Sequence, residues 1–113
     1  MLAPDGAERV EPGTFAIADD GARWVFSGGL TFDDATRILE ESRSLPLPRS
    51  GHVDLSGLQS ADSSALAVLM ALKRRASAER HHKLVFEGLP EAIMALAHVY
   101  GIDELIDTAR PAP

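Results

Sequence analysis

The chain has no cysteine. That excludes disulfides, thiolate metal sites and cysteine nucleophiles, and it permits a reducing compartment. No uninterrupted apolar run approaches the roughly 20 residues that a helix needs to span a bilayer, so direct membrane insertion is not expected. Excess positive charge is also missing. With 11 basic against 17 acidic residues the net charge is −6, which argues against a nucleic-acid partner, because that needs a basic face. There is no Gly-x-x-x-x-Gly-Lys-Ser/Thr phosphate loop, no internal repeat and no low-complexity block. The first residues, Met1 to Gly6, carry neither a basic start nor an apolar h-region, so a secretory signal is not expected. What remains is a chain of 113 residues with 45% hydrophobic and 25% charged side chains, enough for one domain with its own core.

Residues 1–13 are rich in Pro, Gly and charge, show no period and are read as a mobile tail. Thr14 to Ala18 alternates weakly as a strand, Asp19-Asp20-Gly21-Ala22 is turn chemistry, and Arg23 to Ser27 pairs back to complete a hairpin. Gly28-Gly29-Leu30 then turns into a first helix. Thr31 is its expected N-cap, and Asp33 and Asp34 sit in the first turn, where negative charge is favoured. Ala35, Ile38, Leu39, Ser42 and Leu45 form its apolar face, and Pro46 ends it. His52 to Leu58 is a third strand. If it is covered on both faces, Asp54 is partly buried. Gln59-Ser60-Ala61 is a loop, and Ser63 or Ser64 opens a second helix whose face carries Ala65, Leu66, Leu69, Met70, Leu72, Lys73 and Ala76. Lys83 to Glu87 is a fourth strand. A third helix from Glu91 has Ile93, Leu96, Ala97 and Tyr100 on its apolar face, Gly101 as left-handed terminator and Ile102 as the accompanying apolar contact. Asp103 to Ile106 forms one more turn, and residues 108–113 fray.

The order β-β-α-β-α-β-α predicts an α/β domain over residues 14–107, with a four-stranded mixed sheet (an initial hairpin, then parallel crossovers) and three to four helices.

Chemistry-bearing residues are sparse. Asp62-Ser63-Ser64 stands at a helix mouth, where side-chain oxygens accept unpaired amide hydrogens and the dipole tolerates a further anion. No nucleophile, base and oxyanion set can be assembled around Ser63, so no catalytic residue is assigned and an enzyme is not expected. His81-His82 is the best metal-looking pair, but no properly spaced carboxylate joins it, so no metal and no cofactor is expected. Lys73-Arg74-Arg75 with Arg80 reads as a solvated helix end, with an acidic partner or a lipid surface as the alternative. Trp24 reads as core or sheet edge. A nucleotide- or ligand-binding module has only the anion-friendly helix start in its favour.

Strand, loop, Asp-Ser-Ser and an apolar helix resemble the signature of STAS domains. The resemblance extends upstream to Trp24-Val25-Phe26-Ser27-Gly28-Gly29-Leu30-Thr31 and downstream to Leu84-Val85-Phe86-Glu87-Gly88-Leu89 and Ala95 to Ile102. It implies that Ser63 is the regulatory or partner-reading hydroxyl and the phosphorylation candidate. It implies partner contacts at Asp62, Ser63, Ser64, Ala65, Leu66 and Thr31, which stands where many members have Asp. Ala65 stands where many have Gly, which adds a methyl where a kinase or partner would approach. Asp54 matches an aspartate common in the family's third strand and is read as structural support. Two roles are implied. One is the cytoplasmic accessory subunit that binds the ATPase of an Mla-type phospholipid ABC transporter and is peripheral to the inner membrane through that partner. The other is an anti-sigma-factor antagonist, bound by a kinase-like anti-sigma factor and released when Ser63 is phosphorylated. The Ala-Leu-Ala-Val-Leu run and the Leu-Ala-x-x-Tyr ending favour the first. Dimerisation is left open.

Overall fold

The computed structural model describes residues 11–80 and 83–102. The elements are β1 (Thr14–Ala18), a 3-10 turn (Asp19–Gly21), β2 (Arg23–Leu30), α1 (Phe32–Ser42), β3 (His52–Ala61), α2 (Ser63–Arg80), β4 (Val85–Glu87) and α3 (Glu91–Val99). The sheet order is β1-β2-β3-β4, with β1 antiparallel to β2 and the other two pairs parallel. The expected mixed α/β architecture is therefore present. The hairpin turn places Asp19, Asp20 and Gly21 at φ of 53°, 55° and 91°, the left-handed region that Asp and Gly tolerate best.

Trp24, Phe26, Val53, Leu55 and Phe86 point to one face of the sheet and join Ile38, Leu69, Leu72, Ile93 and Ala97 from the three helices in a single buried cluster. Ala65, Leu66, Val68 and Ala76 complete the inner face of α2, while Met70 is only half-buried. The Trp24 indole is closed off by donating to the Pro46 carbonyl at 2.9 Å, so a buried polar atom is satisfied. On the opposite sheet face Arg23, Val25, Ser27, His52, Asp54, Ser56, Val85 and Glu87 are half-buried or exposed. Alternation of polar and apolar residues along β2 and β3 is the sequence trace of such an open face.

Two strands run further than their sequence suggested. Gly28-Gly29-Leu30 was expected to turn and Gln59-Ser60-Ala61 to loop, yet they pair as parallel strand ends, Gly29 with Ser60 and Leu30 with Ala61. These residues have weak strand preference, but the ladder is made by backbone groups and tertiary pairing overrides it. β4 is shorter than expected and starts at Val85. Of the segment read as a tail, residues 11–13 lie within the described part and rest against the end of β2. Gly29 N–H donates to the Glu11 carbonyl at 2.9 Å, Glu11 N–H donates to Gln59 Oε1 at 3.1 Å, and Pro12 bridges Gly29. Gly28 is required at this crossing, because at φ 98° a Cβ would lie 2.5 Å from the Pro12 carbonyl oxygen.

Helix α3 ends as its sequence indicated. Gly101 sits at φ 74°, and its N–H donates to His98 O at 3.0 Å while Ile102 N–H reaches Ala97 O at 2.9 Å, the paired bonds of a Schellman terminator. Tyr100 is a correction. It was placed on the apolar face but is 56% exposed, standing at the C-cap, past the last helical residue Val99. His81-His82, the turn at Asp103 to Ile106, residues 1–10 and residues 108–113 lie outside the described residues.

Candidate functional site

Because β2 and β3 are parallel and end in register at Leu30 and Ala61, the two following helices begin side by side. Asp62 occupies this junction. Its Oδ1 accepts the Ser64 amide at 2.8 Å, which caps α2, and its Oδ2 accepts the Phe32 amide at 3.0 Å, which caps α1. One carboxylate thus satisfies orphan amides of two helices at their positive dipole ends. The Phe32 amide and then the Ser64 amide are the main reasons the Asp62 carboxyl is held below its ordinary range, against an opposing desolvation effect.

Thr31 is the N-cap residue of α1, but its hydroxyl makes no capping bond. This corrects the expectation that Thr31 caps through its own side chain; Asp62 reaches across and does so. Ser63 is exposed at the first position of α2 and Ser64 is half-buried. Ala65 and Leu66 are a further correction. At 0% and 2% exposure they face the core, the consequence of lying on the inner stripe of α2 with Leu69 and Leu72. They hold the start of the helix in place from its inner side.

A residue that periodicity hides completes the surface. Phe32 falls at i, i+3, i+7 with Ala35 and Leu39, so its spacing puts it on the apolar stripe, yet it is 79% exposed. It stands at the first position of α1, directly after the N-cap. Its sequence signal is an aromatic residue between the cap position Thr31 and the acidic pair Asp33-Asp34.

Asp54 belongs elsewhere. Eight residues separate it from Asp62 along an extended strand, about 26 Å at 3.3 Å per residue. Its Oδ1 accepts the Ser56 amide at 2.9 Å, and its Oδ2 lies 3.3 Å from Arg23 Nη2, which also reaches Glu87 Oε1 at 3.0 Å. His52 Nδ1 is 2.8 Å from Glu87 Oε2. The Ser56 bonds, followed by Arg23, hold the Asp54 carboxyl below its usual range.

The basic stretch of α2 does not form one free surface. Arg75 donates to the Ser42 and Leu45 carbonyls at 2.8 and 2.6 Å, which closes the C-terminal end of α1. It lines a cleft of about 320 Å³ between α1 and α2 together with Leu39 and Leu72. A second, shallower cleft of about 200 Å³ lies between the end of β3 and the start of α3, below the usual range of ligand pockets. Among the described residues no helix is long and apolar enough to cross a membrane.

Compared with known families, residues 14–107 match the family model for the Mlab, STAS domain. No curated protein matches the chain. The match covers most of the sequence, and the chain belongs to the MlaB-like STAS domain family.

Proposed function

We propose, from membership of this family of generally non-catalytic interaction domains, that the chain docks a partner protein through the surface where α1 and α2 begin. We propose further that the partner is the cytoplasmic ATPase subunit of an Mla-type phospholipid ABC transporter. One observation carries the docking surface. Ser63 is exposed at the first turn of α2 beside a carboxylate that joins the starts of both helices, so its hydroxyl is presented on a rigid base. Asp62, Ser63, Ser64 and Thr31 make up the polar part of this surface. The transporter role is supported by the Mla-type character of the matched family and by the Ala-Leu-Ala-Val-Leu run of α2.

The antagonist role keeps one supporting observation: an exposed serine at a helix N-terminus accepts a phosphoryl group with little cost to the fold. A pull-down from source-cell lysate with tagged wild type and Ser63→Glu, read by mass spectrometry, separates the two. Recovery of an ABC ATPase with wild type and its loss with Ser63→Glu supports the transporter role, because the added charge enters the contact unpaired. Recovery of a kinase-like anti-sigma factor with no ATPase overturns it.

A further inference from the structure

We propose that Phe32 is the aromatic anchor of this docking surface and that the partner offers it an apolar pocket rimmed by lysine or arginine. The inference rests on the docking surface proposed above and adds its central residue and the chemistry of the opposing face.

Among the large apolar side chains exposed on the described residues, Phe32 is the most exposed, at 79%, ahead of Val99, Tyr100 and Ile17. It is also the one whose backbone is bonded to the Ser63 loop, through the 3.0 Å Phe32 N–Asp62 Oδ2 contact. That contact holds the backbone that carries the ring, so the place of the anchor on the surface is set before binding. Aromatic residues emptied of water on contact supply a large share of interface energy.

The surroundings specify the partner. Asp33 is exposed and Asp34 half-buried in the first turn of α1, and Asp62, which accepts the Phe32 and Ser64 amides, adds a third carboxylate. The nearest cation on α1, Arg37, is divided between Asp34 at 3.3 Å, Glu41 at 3.2 Å and the Gly13 carbonyl at 3.0 Å. Among the described residues the rim around Phe32 is therefore acidic. A second copy would bring a like-charged rim to it, and an anionic lipid surface would repel it. A different protein with a basic rim is what remains.

The test uses the full chain and, as probe, the purified ATPase subunit of the source organism's Mla-type transporter, with affinity measured by calorimetry at two salt concentrations. Phe32→Ala is expected to weaken binding about 30-fold or more with an unchanged thermal midpoint. Asp33→Lys is expected to weaken it less and to flatten the salt dependence. Equal affinity of Phe32→Ala and wild type overturns the anchor and leaves the transporter role standing. Failure of wild type to bind the ATPase, with binding to an anti-sigma kinase that Phe32→Ala abolishes, overturns the transporter role and supports the anchor. Wild-type self-association broken by Phe32→Ala, adsorption to anionic vesicles, or binding to neither protein overturns the proposed partner chemistry.

Discussion

Each end of β3 carries an aspartate, and the two are left in opposite conditions. At its N-terminal end Asp54, His52, Arg23 and Glu87 form a patch in which acidic and basic groups are paired with each other. At its C-terminal end Asp62 has backbone amides for partners, with an exposed serine on one side and an exposed aromatic ring on the other. Side-chain pairs at the first end close on themselves and offer little to a partner. Amide pairing at the second end secures the backbone and leaves the side chains of Ser63 and Phe32 exposed. Parallel sheets place their sites at the carboxyl ends of the strands for a related reason, since that is where helix N-termini converge.

The strongest test of this contrast is Asp62→Ala. It strips a capping acceptor from two helices at once, so the expected loss is about 2 kcal/mol, the upper part of the range for a single cap. Urea denaturation measures it. Asp62→Asn keeps one carbonyl acceptor and is expected to lose about half as much. A loss below about 0.5 kcal/mol for Asp62→Ala would mean that the two helix starts are not joined through this carboxylate. At the other end, Arg23→Ala is expected to cost about 1 kcal/mol or less, because all three charged groups are a quarter to a third exposed and solvent screens them. The Ser56 amide still holds Asp54 in that variant.

Acid sharpens the comparison. Asp54 and Asp62 both have folded-state values below their ordinary ones. Each therefore contributes stability that is fully present above the unfolded carboxylate value of about 4 and is lost as pH falls through the folded one. Denaturation midpoints measured from pH 6 downward should fall below about pH 4, less steeply in Asp62→Asn and in Asp54→Asn. The ends of the strand are about 26 Å apart, so the double variant should show the sum of the two effects. A clear departure from additivity would couple two regions that the fold keeps separate.

Much of this architecture is written in local pattern. The Asp-Asp-Gly turn, the inner face of α1 at Ile38 and Ser42, and the Gly101 terminator follow from residue chemistry within a few positions of one another. The site is legible only in part, because its decisive contact is not local. Asp62 reads as a cap for its own helix. That it also serves α1 depends on Leu30 and Ala61 ending their strands in register, and register between strands separated by a helix leaves no trace in either strand's sequence. Phe32 is hidden for the opposite reason: its spacing is that of a core residue, yet at the first position of α1 it is exposed. Ala65 and Leu66 show the converse, since the family resemblance places them on the partner surface while the helix stripe they share with Leu69 and Leu72 turns them inward.

The smallest effect is also the most discriminating. If Thr31 capped α1 with its own hydroxyl, Thr31→Ala would cost about 1 kcal/mol, as N-cap deletions typically do. The Thr31 hydroxyl makes no such bond, and the Phe32 amide is already taken by Asp62, so the expected loss is a few tenths of a kcal/mol, within the spread of ordinary surface substitutions. The same change made in an Asp62→Ala background should cost more, because Thr31 then becomes the nearest side chain able to accept an amide of that first turn. Paired denaturation curves for the two backgrounds give the difference directly. A loss near 1 kcal/mol in the wild-type background would return the cap to Thr31 and remove the link between the helix that carries Phe32 and the loop that carries Ser63.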